Sequence, residues 1–219
     1  MARTIGLADS TINTIAKNQP RLLIIAGATG TGKSTVAIKI AAKSNFSRLI
    51  STDVIREIMR ATSDDQNDSA LHRSSFSIGK SSDAILDWLD TCQVLEKGIE
   101  ATINRALREG VDLVLEGAHI VPSDRLIRPW IKSGGIAVGV VMAVGDENKH
   151  RSMIVSRDTH SFRNADRYIA NFSRIRQIQN GLIERSKIAS WPVIDISRVV
   201  SDQEKIEHYL DLAWNQQRS

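Results

Sequence analysis

The chain has 219 residues, with 29 lysines and arginines against 25 aspartates and glutamates, and a formal net charge of +4. At about 150 residues per domain this length allows one or two domains, and the mild positive charge suits anionic small molecules without arguing for nucleic acid. A single cysteine, Cys92, excludes an internal disulfide framework and indicates a reducing compartment.

No charged start followed by an apolar run is present near residue 1, so no signal peptide is expected. The longest apolar stretch, residues 135–145, is too short to span a bilayer. The sequence therefore predicts a cytoplasmic protein with neither a membrane partner nor a nucleic-acid partner. Its oligomeric state is left open.

Apolar strands and helical patterns alternate along the chain. Residues 1–20 form a polar lead-in that ends at Pro20, and residues 21–219 are predicted to be one domain. The predicted strands are 21–28, 48–52, 111–117, 136–144 and 191–196. The predicted helices are 33–45, 54–61, 81–108, 123–132, 146–156, a long helix that ends near 189, and 201–216. Continuously apolar strands that alternate with helices are typical of an α/β fold, with a parallel sheet covered by helices on both faces.

The first strand runs directly into a glycine-rich segment. Residues 27–34 read GATGTGKS, which fits the P-loop pattern G-x-x-x-x-G-K-[ST] between a strand and a helix. Glycines let successive N–H groups turn toward phosphate oxygens, and the following helix adds its positive end. Lys33 is expected to contact the β- and γ-phosphates, and the Ser34 hydroxyl to bind magnesium. The predicted nucleotide-binding residues are Gly27, Ala28, Thr29, Gly30, Thr31, Gly32, Lys33, Ser34 and Thr35, together with Arg157.

The P-loop pattern alone does not distinguish a kinase from a GTPase or a motor. A GTPase would carry N-K-x-D to read guanine, and the nearest stretch, NKHR at residues 148–151, lacks the aspartate. The chain is also small for a motor. A small kinase remains, in which magnesium, a carboxylate and several arginines handle phosphoryl transfer.

Several polar residues follow the predicted strands, at the sheet edge where α/β proteins bind ligands. Asp53 allows two interpretations, a cap on the next helix or a base that takes a proton from a substrate. Arg56 contacts substrate or is a solvated helix residue. Glu116 holds magnesium through water or caps a loop. His119, as a substrate-binding residue, and His72 are weaker candidates, since a lone histidine near a loop is more often structural than catalytic.

Four arginines lie near or beyond the break at residues 157–163. At 100° per residue, Arg163, Arg167 and Arg174 fall within about 40° of one another on a helix. They form either a solvated basic face or a lid that brings guanidinium groups to the transferring phosphoryl group, which arginine grips in bidentate fashion. We expect Arg157, Arg163 and Arg167 to belong to a lid, and Arg174 to lie on the surface.

Five segments of the chain are, in order, GATGTGKSTVA, ISTDVIREIMR, LHRSSF, LEGAHIVP and RNADRYIANFSRIRQIQ. Together they resemble 2-phosphoglycerate kinase. The resemblance runs from about residue 21 to 196. The chain is also similar, more distantly, to zeta toxins and chloramphenicol phosphotransferases, in which an aspartate after the second strand activates an acceptor hydroxyl.

The resemblance implies a P-loop kinase fold with strand order 2-3-1-4-5 and a small arginine-bearing lid. It implies ATP with Mg²⁺ as cofactors and phosphorylation of 2-phosphoglycerate to 2,3-bisphosphoglycerate. Lys33 and Ser34 would then bind ATP and magnesium, Asp53 and Arg56 would face the acceptor, and Arg163 and Arg167 would serve in the lid. About 20 residues precede the first strand, where archaeal members of the family carry a nucleotide-binding domain, so the exact acceptor stays open.

Two alternatives remain beside this interpretation. A kinase of the same fold could phosphorylate a nucleotide sugar or an antibiotic, which a panel of acceptors would distinguish. An ATP-binding regulatory module would change shape without transferring phosphate. The presence of Lys33, Asp53 and Glu116 together argues against such a module, because a pure switch needs no acceptor base.

Overall fold

A computed structural model describes residues 19–63, 69–156, 165–197 and 202–218. Its strands are β1 (Arg21–Gly27), β2 (Arg48–Ser51), β3 (Leu113–Gly117), β4 (Ile136–Ala143) and β5 (Val193–Asp195). They form one sheet in the order β2-β3-β1-β4-β5, and every neighbouring pair is parallel. The predicted fold class and strand order are confirmed.

Helices connect the strands and cover both faces of the sheet. They are α1 (Lys33–Lys43), α2 (Thr52–Thr62), α3 (Ser69–His72), α4 (Ala84–Glu109), α5 (Asp124–Lys132), α6 (Glu147–Ser156), α7 (Ala165–Ala170), α8 (Phe172–Ile188) and α9 (Asp202–Arg218). The prediction of one long helix ending near residue 189 is wrong, because α7 and α8 are separate helices. The break is at Asn171, whose side-chain amide donates to the carbonyl oxygen of Arg167 at 2.9 Å. Asparagine side chains compete in this way with the backbone hydrogen bonds of a helix.

The core consists of two apolar layers, one on each face of the sheet. In β1, Leu22 and Ile24 belong to the layer that contains α4 and α8, whereas Leu23 and Ile25 belong to the layer that contains α1 and α9. This alternation follows from the two-residue period of a strand. Since both faces are covered, β1, β3 and β4 are buried along almost their whole length, as their apolar sequences predict.

Residues 1–18 of the predicted lead-in lie outside the described residues, so a boundary at residue 20 stays a prediction. The carbonyl oxygen of Pro20 accepts hydrogen bonds from the backbone of Ile136 at 2.9 Å and from the Trp130 indole at 2.8 Å. The described start of the chain is therefore fixed to β4 and α5. No helix within the described ranges is both long enough and apolar enough to cross a bilayer.

Because all five strands run in one direction, their carboxyl ends meet at one edge of the sheet. The P-loop follows β1, α2 follows β2, and Glu116 stands near the end of β3. Residues that are far apart in the sequence are thus brought to a common cleft, where open α/β sheets bind their ligands.

Candidate active site

A polar cleft of about 500 Å³ opens at the carboxyl edge of the sheet. Its walls come from the P-loop, the start of α2, the segment after α3, the end of β3, and helices α6 and α7. The cleft brings together most of the predicted site residues: Thr29, Gly30, Gly32, Lys33, Ser34, Thr35, Asp53, Arg56, Glu116, His119 and Arg167. Gly27, Ala28 and Thr31, which also belong to the P-loop, are buried and do not line the cleft.

The P-loop has the backbone that a phosphate cradle requires. Gly30 and Gly32 adopt φ angles of 84° and 75°, a region that residues with a Cβ rarely enter. Helix α1 begins at this point, and its N-cap Gly32 provides no side-chain hydrogen bond to the first turn. The first N–H groups of α1 can therefore donate to an anion. The Lys33 ammonium group donates to the carbonyl oxygen of Ala28 at 2.8 Å, which curls the side chain back over the loop.

Ser34 and Glu116 meet at the base of the cleft, although 82 positions separate them in the sequence. The Ser34 hydroxyl donates to Oε1 of Glu116 at 3.0 Å, and Glu116 is buried. The described residues contain no group of three or more histidine, cysteine, aspartate or glutamate side chains that could hold a metal. Two oxygen ligands beside a phosphate cradle nevertheless fit Mg²⁺, which usually keeps several waters and takes the remaining ligands from phosphates.

Asp53 lies in the first turn of α2, but Ser51 is the N-cap of this helix. The Ser51 hydroxyl accepts a hydrogen bond from the backbone N–H of Val54 at 3.2 Å. The interpretation of Asp53 as the cap is therefore wrong. Its side chain is 55% exposed and faces the cleft, with Oδ1 at 3.6 Å from Arg56 Nη2 and 3.7 Å from His119 Nδ1. The carboxylate is thus open to a ligand.

Arg56 is largely buried, with a side chain only 14% exposed, so the interpretation as a solvated helix residue is wrong. Burial lowers the pKa of its guanidinium group, an effect that the charge of Asp53 opposes. Nη1 lies 3.4 Å from both the Arg73 carbonyl oxygen and His119 Nε2, and Nε has no hydrogen-bond partner among the described residues. A buried guanidinium group held by long contacts is suited to bind an anion.

His119 is buried behind this pair, with 2% of its side chain exposed. Burial lowers its pKa to about 4, and the nearby cations Arg56 and Lys33 act in the same direction against Asp53. The ring is therefore neutral near pH 7. Because Arg56 can only donate, Nε2 accepts its hydrogen bond, and Nδ1–H donates to the Thr52 hydroxyl at 3.2 Å. In this arrangement His119 helps to hold the Arg56 side chain in place.

The structure describes two of the four arginines predicted near the lid, Arg167 and Arg174. Arg157 and Arg163 lie outside the described residues, so their assignment to a lid stays a prediction. Arg167 is exposed on α7, lines the cleft and donates to the Ser74 hydroxyl at 2.8 Å.

The surface position predicted for Arg174 is wrong. Its side chain is 15% exposed, and Nη2 donates to Oδ2 of the fully buried Asp87 at 2.8 Å. Helical spacing puts Arg167 and Arg174 on one face of a continuous helix, but they belong to the separate helices α7 and α8. It cannot reveal that α4 presents a buried carboxylate to one of them.

Several residues that line the cleft were not predicted from the sequence. Arg60, Ser74, Ser75, Phe76, Met153, Ser156 and Tyr168 all line the cleft. Three of them lie within LHRSSF at residues 71–76, a segment that already carried the family resemblance. That segment was a usable signal, whereas Met153 and Tyr168 stand in helical patterns that do not differ from ordinary amphipathic helices.

The sequence of the chain matches a known protein family. Residues 22–178 match the family model described as AAA domain. The chain is 32% identical over 203 residues to the 2-phosphoglycerate kinase of Methanopyrus kandleri, covering 89% of this chain and 62% of that protein. It is 31% identical over 199 residues to the 2-phosphoglycerate kinase of Methanothermobacter thermautotrophicus, covering 86% and 64%. The chain thus spans a little under two thirds of the length of these relatives.

A solved structure supports the same assignment at the level of the fold. A putative kinase from Chloroflexus aurantiacus superposes with a TM-score of 0.53 at 14% identity, covering 90% of this chain and 97% of that chain. The predicted resemblance to 2-phosphoglycerate kinases is confirmed by the curated relatives. The chain belongs to the AAA domain family and has the fold of a P-loop kinase.

Proposed function

We propose that the protein is an ATP-dependent small-molecule kinase, which transfers the γ-phosphate to a hydroxyl group of an acidic metabolite. The best candidate acceptor is 2-phosphoglycerate, with 2,3-bisphosphoglycerate as the product. The observation that carries the proposal is the position of Asp53, whose open carboxylate shares one cleft with the P-loop. The names of the relatives support the same activity and the same acceptor.

The nucleotide end of the cleft is formed by the P-loop. Backbone N–H groups of the loop and the start of α1 would donate to the phosphate oxygens, and Lys33 would move from Ala28 to the β- and γ-phosphates. Ser34 would ligate magnesium directly, and Glu116 would do so through water. Bound magnesium would neutralise charge that develops on the phosphates during transfer.

The acceptor end is cationic. Apart from Lys33 and Glu116, which belong to the nucleotide end, the cleft is lined by three arginines, Arg56, Arg60 and Arg167, and by the carboxylate of Asp53. An acceptor with a carboxylate and a phosphate would supply the short, charge-assisted hydrogen bonds that Arg56 lacks within the described residues. This surplus of cations supports an anionic acceptor over a neutral alcohol.

Asp53 is proposed as the group that receives the acceptor proton. The hydroxyl oxygen of the acceptor forms a bond to the γ-phosphorus, the bond from that phosphorus to the β–γ bridging oxygen breaks, and ADP leaves. The proton of the hydroxyl passes to the Asp53 carboxylate. Since the transition state of such transfers is loose, Asp53 also orients the hydroxyl before the proton moves.

The proposal is tested by measuring ATP consumption with magnesium against a panel of acceptors. The panel contains 2-phosphoglycerate, other phosphorylated hydroxy acids, nucleotide sugars and aminoglycoside-like alcohols, and products are identified by phosphorus NMR. We expect acceptor-dependent turnover with 2-phosphoglycerate that Lys33→Ala abolishes. If only a nucleotide sugar or an antibiotic supports turnover, the proposed acceptor is wrong. If the protein binds ATP but shows no acceptor-dependent turnover, the proposal of a kinase would be replaced by that of a regulatory module.

A further inference from the structure

The segment Arg73–Ser82, called here the acceptor loop, connects α3 to α4 and forms the wall of the cleft opposite the P-loop. It contains no strand or helix of its own, yet Ser74, Ser75 and Phe76 line the cleft. Ser75 and Phe76 are buried, with 6% and 3% of their surface exposed. An irregular loop needs other groups to hold such positions, since its own backbone does not fix them.

Asp87 of α4 supplies that support from beneath the loop. It is fully buried and accepts four described hydrogen bonds. Oδ2 accepts from the backbone N–H of Gly79 and from Arg174, both at 2.8 Å, and Oδ1 accepts from the backbone N–H and the hydroxyl of Ser81 at 3.1 and 2.7 Å. Burial raises the pKa of this carboxyl group, but the hydrogen bonds from Gly79, Ser81 and Arg174 outweigh burial and lower the pKa to about 2.

Arg174 holds the same loop from α8. Besides its bond to Asp87, Nε donates to the Phe76 carbonyl oxygen at 2.9 Å, and Nη1 donates to the Ser82 carbonyl oxygen at 2.8 Å. One guanidinium group thus joins the middle and the end of the loop to the carboxylate beneath it. Its planar set of donors can satisfy these acceptors together, which a lysine ammonium group cannot do with the same geometry.

The loop itself fits this support closely. A Cβ atom added to Gly79 would lie 2.5 Å from Oδ1 of Asp87 and 2.7 Å from Cζ of Arg73. Only glycine therefore allows the backbone to come this near to the carboxylate. At the start of the loop, Arg73 Nη2 donates to the Asp87 carbonyl oxygen at 2.6 Å, so the segment is fastened to α4 at both its beginning and its middle.

The acceptor loop also meets α7. Arg167 donates to the Ser74 hydroxyl at 2.8 Å, and the rings of Tyr168 and Phe76 lie 5.2 Å apart. Arg167 and Tyr168 line the cleft beside Ser74 and Phe76. A displacement of the loop would therefore move the acceptor wall and the described part of the proposed lid at once.

We propose that Asp87 and Arg174 are positioning residues for the acceptor: they fix the acceptor loop so that Ser74, Ser75 and the Arg167 guanidinium group meet the acceptor in one geometry. The inference rests on the proposed function and extends it, because it assigns acceptor recognition to a loop held by a buried ion pair. ATP would bind at the P-loop, and none of the described hydrogen bonds of the Asp87 carboxylate or the Arg174 guanidinium group goes to that loop.

The test uses Asp87→Asn in the full chain. An amide offers one acceptor oxygen where the carboxylate offers two, so its NH₂ group would face donors from the loop or from Arg174. The matched control is Asp112→Asn. Asp112 also pairs with an arginine, accepting from Nε and the backbone N–H of Arg21 at 2.8 and 2.7 Å, but at the opposite end of the sheet. Arg174→Lys is the second variant, which keeps the charge and loses the fork of donors.

Steady-state kinetics with 2-phosphoglycerate give the readout. We expect Asp87→Asn to raise the KM for the acceptor at least ~10-fold and to leave the KM for ATP within about twofold of the wild type. The reason is that losing a hydrogen bond to the acceptor loop weakens the binding of the acceptor and not that of ATP. Arg174→Lys should show a smaller effect of the same kind. Asp112→Asn should change neither KM. Equal changes in both KM values, or the same kinetics in Asp87→Asn and Asp112→Asn, would overturn the inference.

Amide hydrogen exchange separates this inference from the proposed function. If the wild-type chain phosphorylates no acceptor, the proposed function fails, but the support of the loop is still measurable. Faster exchange at Gly79 and Ser81 in Asp87→Asn, and not in Asp112→Asn, then sustains the role of Asp87 in holding the loop. Unchanged exchange at those two amides overturns it, whatever the activity.

Discussion

The hydroxyl of Ser51 accepts a hydrogen bond from the backbone N–H of Val54 at 3.2 Å, and so Ser51 caps α2. Asp53 stands two residues further on and is not needed for that cap. Its carboxylate is free to face the cleft, where it lies within 4 Å of Arg56 and His119. The local structure therefore separates the stability of the helix from the chemistry proposed for Asp53.

Asp53→Asn is expected to abolish most of the proposed phosphoryl transfer and to leave the fold intact. Asparagine cannot take a proton from the acceptor, so turnover should fall by ~10²–10⁴-fold, the usual contribution of a positioned base. Thermal unfolding should shift by no more than about two degrees, because Ser51 retains the cap. Turnover is measured with 2-phosphoglycerate, and ATP binding by calorimetry. Wild-type turnover in a stable Asp53→Asn protein would exclude Asp53 as the base.

Lys33→Ala should reduce turnover by at least ~10³-fold, because it removes the cation proposed to stabilise the γ-phosphate during transfer. Lys39→Ala is the matched control, since Lys39 is an exposed lysine on the same helix. Both proteins should show the circular dichroism of the wild type. If Lys33→Ala turned over normally with any acceptor, the kinase proposal would be abandoned.

Arg167→Ala is expected to lower turnover much more than it lowers ATP affinity. Arg167 is exposed and bonded to Ser74, so its contacts to the transferring phosphoryl group would form mainly in the closed, reacting state. Arg128→Ala is the control, because Arg128 is exposed and pairs only with Asp124 among described acidic groups. Similar kinetics for Arg167→Ala and Arg128→Ala would assign Arg167 to a solvated face.

His119 should make the stability of the protein depend on pH between about 6.5 and 4. The folded pKa of about 4 lies below the ordinary value of 6.5, so the unfolded state binds the proton first as the pH falls. The free energy of unfolding therefore decreases as the pH falls through this window. Below about pH 4, His119 causes no further change.

Comparison with His119→Gln isolates that contribution. Glutamine can accept a hydrogen bond from Arg56 and donate one to Thr52, but it does not titrate. Between pH 6.5 and 4 the variant should therefore lose less stability than the wild type. At 1.36 kcal/mol per pKa unit, the difference is up to roughly 3 kcal/mol. The contribution of His150 is present in both proteins and cancels. Denaturant unfolding at pH 6.5, 5 and 4 measures the difference. Parallel curves for the two proteins would contradict a buried, neutral His119.

The parallel sheet, the P-loop and the sheet edge at which a ligand site is expected could all be predicted from the sequence. Apolar strands alternating with helices leave few arrangements open, and the family resemblance supplied the strand order that the structure has. The contact between Ser34 and Glu116 agrees with this pattern, because β1, which leads into the P-loop, is paired with β3, and Glu116 lies near the carboxyl end of β3. Local spacing also identified Asp53, Arg56 and His119 as candidates.

Which polar groups are buried together could not be predicted from the sequence. Helical spacing treats Arg167 and Arg174 alike, yet α7 presents the first to the cleft and α8 brings the second to the buried Asp87. That Asp53 is not the cap of α2 likewise became evident only from the hydroxyl of Ser51, which accepts the capping hydrogen bond. The physical reason is that burial and hydrogen bonding of a charged side chain depend on partners contributed by other elements. Asp87 and Arg174 are 87 positions apart, and no local periodicity carries information over that distance.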